Sequence, residues 1–177
     1  MLSALFVHRV SSVSSQKLII IRGNSGSGKT TVAKRVQREL GKGTMLVPED
    51  VLRREILWVR WNASDLSAEL IKRTVLYGKE IRFTVVLEGI LPNEYYLSMI
   101  EELIGEFNET HAYYFDLPFE ETLRRHATKS NANEFGEVEM RDYWCETDYL
   151  GISGEQKISA EESEDEIVAR IVNDCRY

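Results

Sequence analysis

The sequence predicts an α/β fold of three layers, in which a parallel sheet of five strands is covered by helices on both faces. Short apolar runs rich in β-branched residues alternate along the 177-residue chain with longer segments of helical periodicity. This alternation is typical of parallel sheets whose crossover helices cover both faces. The first run, Leu18–Ile21, leads directly into a glycine-rich loop and then into a helix. Because ligands gather at the carboxyl ends of parallel strands, we expect the functional residues at that edge of the sheet.

The loop after the first strand has the G-x-x-x-x-G-K-T pattern of a phosphate-binding P-loop. The candidate nucleotide ligands in this loop are Gly23, Asn24, Ser25, Gly26, Ser27, Gly28, Lys29, Thr30 and Thr31. The glycines let the backbone wrap closely and turn its N–H groups inward, and the following helix adds its positive end. We expect Lys29 to reach the β- and γ-phosphates and the Thr30 hydroxyl to ligate Mg²⁺. The chain is therefore expected to bind a nucleoside triphosphate.

Composition indicates one globular domain, since 43% of the residues are hydrophobic and the length suffices for a sizeable core. The net charge of −7 argues against a general nucleic-acid coat protein, although it leaves room for a local basic groove. Cys145 and Cys175 have no metal or redox spacing, so they are interpreted as free thiols of a cytoplasmic protein. No apolar run approaches the length of a membrane span, so no membrane partner is expected.

The first sixteen residues differ from the rest, with five serines and no acidic residue. This composition is compatible with an organellar transit peptide. A flexible extension, or a start site placed too far upstream, fits better, and we expect the folded domain to occupy residues 17–177.

Periodicity and turn signals predict the remaining elements in order. Further strands are predicted at Met45–Val47, Phe83–Leu87, Ala112–Phe115 and Gln156–Ser159. Helices are predicted from Thr30 to Leu40, Val51 to Trp58, Leu66 to Lys79 with a start signal at Ser64, Asn93 to Phe107, Pro118 to about Thr128, around Met140 to Trp144, and Glu162 to Asp174.

Acidic residues follow three of these strands: Asp50, Glu88 and Asp116. Phosphoryl transfer to an alcohol requires a carboxylate that orients and deprotonates the acceptor, together with Mg²⁺. Asp50 is the candidate base, and the alternative is that it only caps the helix at Val51. Glu88 or Asp116 could assist the metal, whereas a structural role is favoured for Asp116.

The P-loop, Asp50, Glu88-Gly89 and the sequence FDLPFEETLRRH after the fourth strand resemble the small P-loop kinases. This group includes adenylate, shikimate and gluconate kinases, chloramphenicol phosphotransferase, zeta-toxin kinases and the polynucleotide 5′-kinase domain. The resemblance covers roughly residues 17–177. It implies a P-loop NTPase sandwich with strand order 2-3-1-4-5, which would put Asp50 and Glu88 on the same side of the P-loop, facing an acceptor pocket.

The resemblance also implies roles for individual residues. Arg53 forms D-x-x-R with Asp50, a spacing similar to that of polynucleotide kinase, and would orient the acceptor. Glu88 matches the acidic residue that helps hold Mg²⁺ with Thr30. Arg125 and Lys129 resemble the two basic residues of a lid at about 125–137. Lysine in place of a second arginine there puts bidentate phosphate binding in doubt, and Arg124 could serve instead.

Three further features receive non-catalytic interpretations. His126 is predicted to be a surface residue of the lid, because the base position is already taken. Tryptophans 58, 61 and 144 are expected in the core or a pocket wall. The stretch from Asp148 to Gly151 imitates the D-x-x-G of a switch GTPase, but it comes too late in the chain and no N-K-x-D motif accompanies it.

The predicted function is that of an ATP- and Mg²⁺-dependent kinase acting on a hydroxyl of a small metabolite, with Lys29, Asp50, Arg53 and Arg125 as catalytic residues. A polynucleotide 5′-hydroxyl is the alternative acceptor, favoured by D-x-x-R and the basic residues between 51 and 82. An alternative of another class is a regulatory ATPase without an acceptor. The sequence identifies neither the acceptor nor the oligomeric state.

Overall fold

The computed structural model of the protein describes residues 16–60, 64–128 and 136–176. The strands are β1 Lys17–Gly23, β2 Thr44–Pro48, β3 Thr84–Gly89, β4 Glu109–Phe115 and β5 Gln156–Ile158. The α-helices are α1 Lys29–Leu40, α2 Ser64–Glu80, α3 Asn93–Glu106, α4 Phe119–His126, α5 Glu137–Asp142 and α6 Glu164–Asp174, and a π-helix occupies Val51–Ile56.

The five strands form one parallel sheet in the order β2-β3-β1-β4-β5, as predicted. The strand β1 lies at the centre, where Leu18–Ile21 are completely buried. A central parallel strand is covered on both faces, which explains why its sequence is continuously apolar.

Alternate residues of β1 enter two separate cores, because successive side chains of a strand point to opposite faces. Leu18 and Ile20 pack in a core that includes residues of α2 and α3. Ile19 and Ile21 pack in the other, with residues of α1 and α6. The three-layer arrangement is therefore confirmed, with helices on both sides of the sheet.

The register of the sheet brings the carboxyl ends of three strands to the P-loop. Arg22, the last residue before the loop glycine Gly23, is paired with Gly89, and Pro48 of β2 is paired with Glu88. Residues that follow Pro48 therefore emerge beside the end of β3, one strand away from the P-loop.

The segment after Asp50 differs from its prediction. The helix predicted to Trp58 is a π-helix that ends at Ile56, with the amide of Leu57 donating to the carbonyl of Leu52. The backbone of Trp58 then adopts a left-handed conformation with φ of 53°, and its side chain is 88% exposed. The expectation that Trp58 lies in the core or a pocket wall is wrong, because the π-helix ends before this residue and its ring lies in solvent.

Helix α4 corrects a second prediction. His126 is only 3% exposed, so its assignment to the surface is wrong. Phe119, Thr122 and His126 are spaced at i, i+3 and i+7, which places all three on the buried face of the helix. Helix α5 lies earlier in the chain than predicted, because it begins at Glu137 and ends at Asp142, before Tyr143 and Trp144.

Several predictions concern residues that the structure does not describe. They are the extension apart from Gln16, Trp61, and residues 129–135 of the expected lid, which include Lys129. Within the described ranges, none of the helices combines the length and apolar character needed to cross a membrane.

Candidate active site

The P-loop packs against both the end of β4 and helix α4. Gly23 and Gly26 have positive φ angles of 147° and 81°. A Cβ atom added at Gly23 would lie 2.7 Å from Cβ of Phe115, and one added at Gly26 would lie 2.4 Å from the carbonyl oxygen of Thr122. Glycine is required at both positions, because a side chain would be strained by the backbone and would also collide with a neighbour.

Lys29 and Thr30 begin helix α1 and lie at the mouth of the loop. Lys29 is buried, and its Nζ donates to the carbonyl of Asn24 across the loop, at 3.2 Å. The Thr30 hydroxyl donates to Oε2 of Glu88 at 3.1 Å. Burial raises the pKa of Glu88, while Lys29 and the bond from Thr30 oppose that rise. The structure thus brings together Lys29, Thr30 and Glu88 as the sequence predicted.

The loop fits a triphosphate with Mg²⁺. Gly28 has no close neighbour, since the nearest atom to an added Cβ is Nη1 of Arg125 at 3.8 Å, and the buried Oγ of Ser27 has no hydrogen-bond partner among the described residues. No group of three His, Cys, Asp or Glu side chains suited to a metal ion is found in the described part of the chain. A hydroxyl and one carboxylate suit Mg²⁺, which takes most of its ligands from phosphates and water.

Asp50 lies at the end of β2 and is paired with two arginines. Its Oδ1 accepts from Arg53 Nη2 at 2.6 Å, and its Oδ2 accepts from Arg54 Nη1 at 3.2 Å. The side chain makes no capping bond to the backbone, so the alternative of a helix cap at Val51 is not supported. With 54% of its side chain exposed, Asp50 is accessible from solvent.

Glu49 is a site residue that the sequence analysis missed. Its side chain is 1% exposed, and Oε1 accepts from Arg53 Nε at 2.6 Å. Burial raises the pKa of Glu49, and the charge of Arg53 is the largest effect opposing that rise. The available signal was its i,i+4 spacing to Arg53 in a segment that starts at a strand end.

Arg125 reaches the P-loop from α4. Its Nη1 donates to the carbonyl of Ser27 at 2.9 Å, and its Nε donates to Glu121 at 2.6 Å. Hydrogen bonds from Arg124 and Arg125 lower the pKa of Glu121 to about 2. Arg124 bonds the same carboxylate but is itself 71% exposed, so of these two arginines Arg125 is the one that contacts the loop.

Two acidic residues that sequence patterns singled out have structural partners. The Asp116 carboxylate accepts from the Tyr149 hydroxyl at 2.5 Å. Asp148 accepts from the completely buried Arg22 at 2.7 Å. Asp148, the first residue of the pattern that resembles D-x-x-G, therefore holds the segment after α5 against β1 through its ion pair with Arg22. Asn24 adds a second anchor, because its side-chain amide bonds both the N–H and the carbonyl of Cys145.

Solved structures of kinases share this architecture. The APS kinase CysC of Mycobacterium tuberculosis, in complex with AMPPNP and APS, has a TM-score of 0.69 at 18% identity, over 92% of this chain and 99% of that chain. A gluconokinase from Sinorhizobium meliloti 1021 has a TM-score of 0.62 at 15% identity and covers 93% of both chains. The protein has the fold of the small P-loop kinases.

A further match is a chain of the Pnkp1/Rnl/Hen1 RNA repair complex, with a TM-score of 0.56 at 19% identity, over 76% of this chain and 44% of that chain. No family model matches the sequence, and a comparison with curated proteins finds no match. The likeness is therefore one of fold, carried by the sheet order and the P-loop.

Proposed function

We propose that the protein is an ATP- and Mg²⁺-dependent kinase that transfers the γ-phosphoryl group to a hydroxyl of a small molecule. The observation that carries this proposal is the position of Asp50 and Arg53 at the strand end next to Glu88, which itself contacts Thr30 of the P-loop. A phosphate loop and an accessible carboxylate at the same edge of one sheet are what phosphoryl transfer to an alcohol requires. The APS kinase and the gluconokinase of similar fold support the same class.

The donor side is formed by the P-loop. When bound, ATP would supply the phosphoryl group and Mg²⁺ would offset the negative charge of its phosphates. The loop amides and Lys29 would bind the phosphate oxygens, while Thr30 and Glu88 would hold the metal. Arg125 sits against Ser27 of the loop and contributes positive charge next to the phosphates. Lys129 is proposed as the second lid residue by resemblance alone.

The acceptor side is formed by Asp50 and Arg53. Asp50 accepts the proton of the acceptor hydroxyl, since each carboxylate oxygen keeps a lone pair beyond its present bond. Arg53 holds the Asp50 carboxylate in place and orients the acceptor. The acceptor pocket would include the exposed surface that begins at the π-helix.

The test is a screen with γ-labelled ATP against nucleosides, sugars, small alcohols and short oligonucleotides. Asp50→Asn is expected to abolish transfer to the acceptor identified, while the affinity for ATP stays nearly unchanged. Asp116→Asn is a control, because Asp116 also follows a strand but bonds Tyr149. Full transfer by Asp50→Asn would refute the mechanism, and ATP hydrolysis that needs no alcohol would favour the regulatory ATPase.

A polynucleotide 5′-hydroxyl is the second candidate acceptor. It is favoured by the exposed ring of Trp58, four residues after the exposed Arg54, since aromatic rings and cations bind single strands. Stacking of one base contributes about 1–3 kcal/mol, so Trp58→Ala should weaken oligonucleotide binding by roughly 5- to 150-fold. Salt-sensitive competition by single-stranded RNA or DNA that is lost in Trp58→Ala would support a polynucleotide acceptor. If wild type shows no such competition, a small molecule remains the proposed acceptor.

A further inference from the structure

We infer that Glu49 is the positioning residue of the acceptor side: it fixes the guanidinium of Arg53, which in turn fixes the carboxylate of Asp50. This inference rests on the proposed function, because it assigns to Glu49 a task in the reaction for which Asp50 is the base. Glu49 itself is buried and would touch neither the nucleotide nor the acceptor.

The guanidinium of Arg53 is held between two carboxylates. Its Nε donates to Glu49 Oε1 and its Nη2 donates to Asp50 Oδ1, both at 2.6 Å. These donors belong to one rigid plane, so the position of the Glu49 oxygen determines where the Asp50 oxygen lies. Glu49 is buried whereas Asp50 is half exposed, which means that the exposed base is anchored to the core through Arg53.

The sheet register explains why Glu49 has a fixed position. Pro48 is paired with Glu88, so the next residues along the two strands, Glu49 and Gly89, are neighbours. A Cβ atom added at Gly89 would lie 2.6 Å from Cβ of Glu49 and 3.2 Å from its Oε2. The Glu-Gly pair at the end of β3 therefore has two functions: Glu88 faces the P-loop, and Gly89 provides the space that Glu49 occupies.

The same carboxylate oxygen of Glu49 is also connected to two helices through Tyr96. The Tyr96 hydroxyl of α3 donates to Glu49 Oε1 at 3.4 Å, and it lies 3.0 Å from the Ser67 hydroxyl of α2. Burial raises the pKa of Tyr96 to about 12, so the phenol remains protonated and available as a donor. The chain of contacts from Ser67 to Asp50 connects the base to both helices on one face of the sheet.

Such an arrangement is better explained by positioning than by stability. A buried ion pair gains little net stability, because desolvation offsets most of its attraction. Correct geometry, by contrast, strongly affects a reaction, and a misplacement of about 1 Å can cost about 100-fold in rate. Loss of Glu49 should therefore lower kcat and leave ATP binding at the P-loop unaffected.

The experiment compares Glu49→Ala, Glu49→Gln and Gly89→Ala with wild type, using the acceptor identified in the labelled-ATP screen. Glu49→Ala should lower kcat about 100-fold with an unchanged KM for ATP. Glu49→Gln should recover most of that loss, because its amide oxygen can still accept from Arg53. Gly89→Ala should lower kcat in the same way, because its methyl group displaces Glu49 without removing any charge.

A second measurement does not depend on turnover. Modification of Arg53 by phenylglyoxal, followed by mass spectrometry, should be faster in Glu49→Ala than in wild type, because the guanidinium loses its buried anchor. Glu155→Gln is the matched control, since Glu155 is also a buried carboxylate beside a buried arginine, Arg22, but away from Asp50. It should change stability without changing either kcat or the reactivity of Arg53.

The outcomes separate this inference from the proposed function. If the wild-type protein transfers phosphate and Glu49→Ala has the same kcat, the inference is overturned but the proposed function stands. Equal losses of kcat in Glu49→Ala and Glu155→Gln would also overturn it, since both would reflect general loosening. A Gln variant as slow as the Ala variant would contradict the role of the hydrogen bond. Absence of any transfer by the wild-type protein would overturn the proposed function and the inference together.

Discussion

The contact between the P-loop and helix α4 can be tested by replacing Gly26 with alanine. Gly26 has φ of 81°, and its added Cβ would lie 2.4 Å from the Thr122 carbonyl oxygen, a backbone atom that moves only with the helix. Gly41→Ala is the matched control. Gly41 has a similar φ of 86°, and no atom lies within 4 Å of its added Cβ.

The two variants separate backbone strain from steric collision. The positive-φ backbone costs an alanine about 1–3 kcal/mol, and a cost of this size applies to both variants, although Gly41 has ψ of −165° and so lies outside the left-handed helical region. The collision adds about 1–3 kcal/mol for Gly26→Ala alone. The expected loss is therefore about 2–6 kcal/mol for Gly26→Ala and about 1–3 kcal/mol for Gly41→Ala. At about 2–4 °C per kcal/mol, Tm should fall by roughly 4–24 °C and 2–12 °C respectively.

Chemical denaturation and ATP titration would measure these effects. Arg125 is on α4 and contacts the loop at Ser27, so displacement of the helix should also weaken ATP binding in Gly26→Ala, while Gly41→Ala should bind ATP normally. If the two variants lost equal stability and both kept wild-type affinity, α4 would not pack on the P-loop as described.

Three further predictions concern buried groups. Burial raises the folded-state pKa of Glu88, so its contribution to stability is lost as pH rises above the unfolded value of about 4.3. Glu88→Gln should therefore unfold at a higher denaturant concentration than wild type at pH 7.5, and the two midpoints should converge near pH 4. The variant should also lose Mg²⁺-dependent transfer. Equal stability of the two proteins at pH 7.5 would contradict the effect of burial. Asp148→Asn should lower the free energy of unfolding by up to about 3–5 kcal/mol, because buried Arg22 loses its nearest carboxylate. Denaturant unfolding measures this loss. A change below about 1 kcal/mol would contradict the role of Asp148 as an anchor for Arg22. Burial raises the pKa of Cys175 to about 12, so a thiol reagent should modify Cys145 in the folded protein and Cys175 only after denaturation; rapid reaction of both would contradict the packing.

Much of the fold could be predicted because its determinants are local. The apolar run at Leu18–Ile21 and the glycine pattern of the P-loop specify a strand and a tight loop without reference to distant residues. The spacing from Asp50 to Arg53 correctly indicated that their side chains meet. These features depend on the geometry of one strand or one helical turn.

Other features could not be predicted because they depend on contacts between distant segments. His126 is buried because it lies with Phe119 and Thr122 on the inward face of α4, although the two residues before it are arginines. Trp58 is exposed because the π-helix ends early and its own backbone is left-handed, which helical periodicity does not reveal. Arg22 is buried because segments some 70 and 126 residues later supply its hydrogen-bond acceptors.

The sequence by itself determined most helices and strands, the phosphate loop and the acidic residues at three strand ends, because each of these depends on a short stretch of chain. Only the tertiary structure decided how those acidic residues are used. The register of β2 against β3 places Glu88 toward Thr30 and puts Glu49 into the space left by Gly89. Asp116, which looked equivalent in sequence, is paired with Tyr149 instead. Strand pairing is a relation between residues far apart in sequence, and it selects which carboxylate faces the P-loop.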